Sequence, residues 1–276
     1  MTLVEAGVLG VVQGLTEFLP ISSIAHLRVV PALFGWDDPG AAFSAVIQLG
    51  TLLAVLVYFA GDLRGMIRSA LKGIFDGKPW ASQEARLAWF ITIGTFPIGI
   101  CGLAFKQHIE GGWRSLYVIA ASLIVLGTLL WAAERRAAFQ REVAQIGWLD
   151  SQLIGLAQAL ALIPGASRSG TTMTAAMLLG LTREAAARFS FLLGIPAIGA
   201  AGVFELRELL KHGVGEAGLP ALAVATATSA VSGYLAIDLL LRYLRRNTTY
   251  IFVWYRIGLG LLLLALLGAG ILRPLG

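Results

Sequence analysis

Ile163-Pro164-Gly165-Ala166-Ser167-Arg168-Ser169 interrupts an apolar region of about residues 148–180, and Leu19-Pro20-Ile21-Ser22-Ser23 interrupts another of about residues 4–32. Proline cannot continue a helical hydrogen-bond ladder, and nearby serines compete for its backbone groups. The pieces on either side are too short to cross about 30 Å of hydrocarbon, which takes about 20 residues. Each region therefore reads as a re-entrant helix-turn-helix hairpin. Non-helical backbone is tolerated at membrane depth only where protein buries it or it lines a cavity, so both turns mark a candidate site.

Six uninterrupted stretches are long enough to span: Phe43–Ala60, Leu87–Phe105, Leu116–Ala133, Ala185–Leu206, Leu219–Leu241 and Tyr250–Leu272. The composition agrees. Of 276 residues 57% are hydrophobic and 13% charged, against about 25% charged in a soluble domain, too few to coat a globule. Thirty-three glycines suit membrane helices, and the lone Cys101 cannot close an internal disulfide. The formal charge of +5 reads as a positive-inside bias rather than as a polyanion partner, and nucleic acid is not expected. No basic n-region or cleavage site marks the start as a signal peptide, so the first apolar stretch is expected to stay.

Aligning Pro20 with Pro164 sets Ser23 beside Ser167, and Phe43-Ser44 recurs as Phe189-Ser190. A repeat with a period near 145 follows, each copy holding one hairpin and three spans. Three is odd, so the copies are inverted and their hairpins can meet inside the bilayer. The predicted fold class is all-α integral membrane: six transmembrane helices plus two re-entrant helical hairpins in an inverted repeat. One membrane domain over 1–276 is expected, with repeats of about 1–135 and 146–276 and an interfacial helix in the 61–86 loop.

Loop charges orient the chain. Arg64, Arg68, Lys72, Lys78, Arg86, Arg135, Arg136, Arg141, Arg242, Arg245 and Arg246 fall on one side, and Arg28, Lys106, Arg114, Arg207, Lys211 and Arg273 on the other. The richer side is expected in the cytoplasm, with both termini outside. Asp238 and Arg256 read as a snorkelling or mutually paired couple near span ends.

Glu17, His26 and Arg168 are the ionisable groups beside the turns, where burial calls for a function. Gln13 and Glu17 share a helix face; Ser22 can cap the helix after Pro20; Ser22 and Ser23 are each within reach of His26. A hydroxyl, an imidazole and a carboxylate together suit an activated nucleophile. In the second turn Gly165 and Gly170 free the backbone, and Ser167, Ser169, Thr171 and Thr172 offer hydroxyls. A helix restarting near Thr171 aims its positive end there, and Arg168 adds a fork that matches phosphate. The two clusters together describe phosphoryl transfer on a lipid-borne phosphate.

Gln13-Gly-Leu-Thr-Glu17-Phe-Leu-Pro-Ile-Ser-Ser-Ile-Ala-His26 and Pro164-Gly-Ala-Ser-Arg168-Ser-Gly-Thr-Thr172 resemble the two signature motifs of the bacterial undecaprenyl-diphosphate phosphatase family, also called bacitracin-resistance proteins. Phe43–Gly50 and Glu184–Gly194 also look familial. The resemblance implies hydrolysis of undecaprenyl diphosphate to the monophosphate and inorganic phosphate, recycling a carrier for peptidoglycan synthesis. It implies a multi-pass protein of the bacterial plasma (inner) membrane with its site open to the outer, periplasmic side. It also implies support by a divalent cation, Mg2+ or Ca2+, which would ride mainly on the diphosphate with Glu17 as its candidate protein ligand. Glu or Gln is accepted at the first motif position, so Gln13 leaves Glu17 as the one carboxylate of this cluster.

Catalytic roles thus fall to Glu17, Ser23, His26 and Arg168, with Ser22, His26 or water as the other nucleophiles. Gln13, Ser22, Gly165, Ser167, Ser169 and Thr172 are the candidate substrate-binding residues. The expected partners are a polyprenyl diphosphate and membrane lipid; Gly-rich spans pack within a subunit as readily as between subunits, so they permit a homo-oligomer with a second copy of the chain without specifying one. The rival class is a polyprenyl-phosphate transporter or flippase, which would want the phosphate cradle but has no need of a nucleophile.

Overall fold

The computed structural model describes residues 1–105, 113, 115–212 and 218–274. In chain order the helices are α1 (Leu3–Phe18), α2 (Ser23–Phe34), α3 (Gly40–Tyr58), α4 (Ala60–Phe75), α5 (Gln83–Gly94) and α6 (Phe96–Ala104). There follow α7 (Leu116–Arg136), α8 (Trp148–Ala159), α9 (Arg168–Leu178), α10 (Arg183–His212), α11 (Gly218–Leu244) and α12 (Tyr250–Gly268). Among the described residues the chain is all-helical, and the sole β pairing is an isolated bridge between Arg141 and Leu181.

Six stretches are long and apolar enough to cross a membrane: Gly40–Tyr58, Gln83–Ala104, Leu116–Arg136, Arg183–Lys211, Gly218–Leu244 and Tyr250–Gly268. They match the six expected, with one difference. The second is broken at Thr95 into α5 and α6, because Pro97 sits in the first turn of α6 and has no N–H to give. Two loop cations counted above, Lys106 and Arg114, lie outside the described residues. Helix α4 occupies the loop where an interfacial helix was expected.

The shorter helices flank the two turns. Thr2 caps α1 in a reciprocal box with Glu5, and Asp150 accepts from Gly147 N at the start of α8. Burial pushes the Asp150 carboxyl up, but hydrogen bonds from Arg141 and Gly147 N outweigh it and hold the group below its ordinary value. Ser22 and Ser167 cap α2 and α9, each accepting a first-turn N–H, and both adopt positive φ, 77° and 67°. A non-glycine residue there costs about 1–2 kcal/mol, so the surrounding structure must enforce it.

Two local expectations change. The structural counterpart of Ser167 is Ser22 rather than Ser23, because the second turn has one more residue between its proline and its cap. The second helix also restarts at Arg168 rather than near Thr171.

Helix α11 packs along α1 and α3, α10 along α3, and α12 along α7. Hydroxyls join the first pair of contacts, with Thr228 donating to Gly7 O and Ser229 to Ile47 O. Phe18, the last residue of α1, meets Phe191 of α10 edge-on at 5.1 Å within the largest buried cluster. At one end of the bundle Glu134 accepts from Arg183, Thr249 N and Thr249 Oγ1, while Arg188 pairs with Asp62 and Arg245 with Glu184.

Candidate active site

The last two turns of α1 carry Gln13 and Glu17 on one face, both buried. Gln13 Nε2 donates to Glu17 Oε2 at 3.0 Å, and Ser23 Oγ, across the turn, donates to the same oxygen at 2.6 Å. A hydroxyl this close to a carboxylate is a charge-assisted bond in which the proton already points at a base. Ser22 is spent differently: its hydroxyl accepts from Ala25 N as the cap of α2.

His26 does not join either hydroxyl. Its Nδ1 lies 2.7 Å from Ser22 O, which can only accept, so Nδ1 carries the proton. Nε2 lies 2.6 Å from Tyr255 Oη, and the two rings stack at 5.6 Å. The expected serine–imidazole contact is therefore replaced by a serine–carboxylate one. The turn points Ser23 back toward α1, while His26, three residues on, faces α12.

Arg168 starts α9 beside this pair. Its Nη1 donates to Ser190 O at 2.9 Å, its Nη2 approaches Glu17 Oε1 at 3.4 Å, and its Nε is buried with no partner among the described residues. The distance to Glu17 is long for a bidentate pair, so the fork keeps donor capacity in hand. A Cβ on Gly194 would stand 2.1 Å from Nη1, so α10 admits the guanidinium only because that residue is glycine. Ser169 Oγ donates to Leu19 O at 3.0 Å, tying one turn to the other, and Thr172 Oγ1 donates to Arg168 O at 2.7 Å while meeting Ser190 Oγ.

Both turns close around a cavity of about 180 Å³. Glu17, Ser22, Ser23, Gly165, Ser167 and Arg168 line it, with an apolar wall that includes Ile24, Ile98, Leu162, Ala197 and Ala201. Gln13, Ser169 and Thr172 do not line it; they stand behind Glu17 and Arg168 and hold them. His26 is likewise outside the lining.

Two further residues escaped the sequence reading. Gln48 of α3 lines the cavity, and its side chain makes no hydrogen bond with a described residue. Its signal is a lone amide inside an apolar span, within the Phe43–Gly50 stretch. Arg256, read as a snorkelling or Asp238-paired group, is instead fully buried. It donates from Nη1 to Pro20 O at 3.1 Å and from Nη2 to Gly165 O and Ala166 O at 3.2 and 2.9 Å. Turn carbonyls have no helical donors, and one planar fork supplies them in both turns at once. Asp238 pairs with Arg242 and accepts from Tyr58.

Glu17 is the single carboxylate of the cavity lining, and its Oε2 already accepts two hydrogen bonds. Chemically the arrangement offers an activated hydroxyl, a base and a cationic fork around a space that one phosphate group can enter.

The family described as Bacitracin resistance protein BacA matches residues 6–262. An undecaprenyl-diphosphatase of Myxococcus xanthus is 57% identical over 275 residues, covering 100% of this chain and 92% of the relative. Undecaprenyl-diphosphatases of Chlorobium phaeovibrioides and Chlorobium luteolum are 54% and 52% identical over 282 residues, each covering 99% of this chain and 100% of the relative.

Proposed function

This chain belongs to the bacitracin resistance protein BacA family, and we infer that it hydrolyses undecaprenyl diphosphate to undecaprenyl phosphate and inorganic phosphate at the cavity between the two turns. It is a membrane-embedded hydrolase whose product is the lipid carrier of cell-wall synthesis. Consuming the diphosphate in this way fits the bacitracin resistance for which the family is named. The observation that carries the site assignment is the 2.6 Å bond from Ser23 to Glu17, opening on the same cavity as the unsaturated guanidinium of Arg168.

In this reading Ser23 Oγ attacks the terminal phosphorus while its proton passes to Glu17 Oε2. The bond from that phosphorus to the bridging oxygen breaks, and Glu17 returns the proton to the departing lipid monophosphate. Water then attacks the phosphoserine, Glu17 takes a proton from it and hands it to Ser23 Oγ, and inorganic phosphate leaves. Arg168 and Ser167 bind the terminal phosphate, and the fork stabilises charge on its equatorial oxygens. Gln13 fixes Glu17, and His26, through Ser22 O and Tyr255, fixes the turn that presents Ser23. Direct attack by a water activated by Glu17 is the variant that Ser23→Ala distinguishes.

One carboxylate does not make a closed metal site, so a Mg2+ or Ca2+ ion would be held by diphosphate oxygens with Glu17 as its protein ligand. Such an ion would supply charge neutralisation of the diphosphate. The paired caps Ser22 and Ser167, and the paired helix-start acids Glu5 and Asp150, each 145 residues apart, support the inverted repeat with re-entrant hairpins. With the Arg-rich end in the cytoplasm, the site would be reached from the outer side, and both termini would lie outside.

Release of inorganic phosphate from undecaprenyl diphosphate by the purified chain in detergent tests the function, because no barrier exists there for a transporter to act across. Binding of the lipid without phosphate release would favour the transporter.

A further inference from the structure

A single residue, Phe59, separates helix α4 from the span α3, and the span that α5 opens follows it, so α4 lies at one end of the bundle. Successive residues turn by about 100° around a helix, which sorts its side chains into separate stripes. Leu63, Met66 and Gly73 form the face that packs on the protein, with Met66 and Gly73 buried. Next around the axis come Ile74, Ile67 and Leu71, with Phe75 at the helix end on the border of the cationic stripe; they are 50, 58, 50 and 86% exposed. Beside them runs a third stripe, Arg64, Arg68 and Lys72, spaced i, i+4, i+8 and exposed. None of these three cations forms an ion pair with a described residue. The acids Asp62 and Asp76 fall on the remaining face, and Asp62 is taken by Arg188.

An apolar stripe left uncovered by the fold and bordered by cations, with the acids segregated away from it, has the charge pattern of a helix lying in a lipid interface. The acyl chains of a zwitterionic lipid would bury the apolar stripe, but its headgroup carries no net charge to counter the cationic one. We propose that α4 is a binding surface for anionic phospholipid headgroups, with Ile67, Leu71, Ile74 and Phe75 dipping into the acyl boundary and Arg64, Arg68 and Lys72 engaging the phosphates. This surface is separate from the catalytic cavity, and its lipid preference does not depend on turnover.

The test uses the full-length protein in micelles doped with equal phosphatidylglycerol and phosphatidylcholine, with bound lipid counted by native mass spectrometry. Wild type should retain phosphatidylglycerol over phosphatidylcholine by roughly threefold or more, with the preference falling as ionic strength rises. The triple variant Arg64→Gln/Arg68→Gln/Lys72→Gln should lose that preference, whereas Arg135→Gln/Arg136→Gln, at exposed cations on α7, should keep it. Equal retention of both lipids by wild type, or an unchanged preference in the triple variant, overturns the proposal. So does a dimer of wild type in phosphatidylcholine alone that Ile67→Ser/Phe75→Ser disperses, since a second copy would then cover this face. Unchanged far-ultraviolet circular dichroism and thermal midpoint of each variant show that folding is not what is being read.

Discussion

Ser23 Oγ and Glu17 Oε2, six residues apart in sequence, meet at 2.6 Å because the Pro20 turn folds the start of α2 back on the end of α1. Glu17 can then take the proton of its neighbour without any intermediary. Glu17→Gln keeps an acceptor for the hydroxyl and the packing but removes the base. General-base loss predicts a fall in kcat of about 10²–10⁴ with KM little changed, read from steady-state phosphate release. A kcat within a factor of three of wild type would remove Glu17 from proton transfer.

Gly194→Ala places a Cβ 2.1 Å from the present position of Arg168 Nη1, too close to coexist, so the guanidinium must shift from its place at the cavity. Loss of an oxyanion-type donor costs about 3–4 kcal/mol, so turnover should fall about 10²–10³-fold while the fold survives. Coupling is the sharper readout. In an Arg168→Lys background, whose slimmer head leaves that space, the added Gly194→Ala step should cost far less, a non-additivity expected of residues in contact.

Gln48 presents an uncommitted amide to the cavity. If that amide contacts the diphosphate, Gln48→Glu sets a carboxylate against it, and KM at neutral pH should rise about tenfold or more by like-charge repulsion. The sign of the pH effect follows: a glutamate of pKa about 4.3 or higher is increasingly neutral as pH falls, so the KM gap to wild type should narrow toward pH 5. A gap independent of pH would make Gln48 a packing residue only.

Arg256 joins Pro20 O to Gly165 O and Ala166 O, so one side chain holds both turns in register. Arg256→Met leaves three buried carbonyls without donors, at about 1–3 kcal/mol for each that water cannot reach. A large drop in thermal midpoint in detergent, with loss of activity alongside it, is expected. Arg256→Lys should recover only part, since an ammonium lacks the planar fork.

The turns and spans were legible because their signals are local: a proline, a cap serine, a run of apolar residues. Glu17 and Arg168 stood out because charges are scarce in the apolar stretches. What the sequence concealed were contacts made across the bundle. Arg256 finds its acceptors 90, 91 and 236 positions away and Tyr255 finds His26 229 positions away, and no spacing rule encodes such pairs. The Ser23 partner was misread for a related reason. Helical periodicity favours His26 as its neighbour, whereas the bond runs back across the turn to Glu17. Gln48 was hidden by its neutrality, since only the cavity wall distinguishes it from an amide that merely packs.

The most direct test of the account is inorganic phosphate release from undecaprenyl diphosphate in detergent by wild type and by Ser23→Ala, each with a native thermal midpoint. The account predicts one phosphate per substrate from wild type and a rate at least about 100-fold lower from Ser23→Ala, as removal of a nucleophile requires. Turnover by Ser23→Ala within a few-fold of wild type would contradict it.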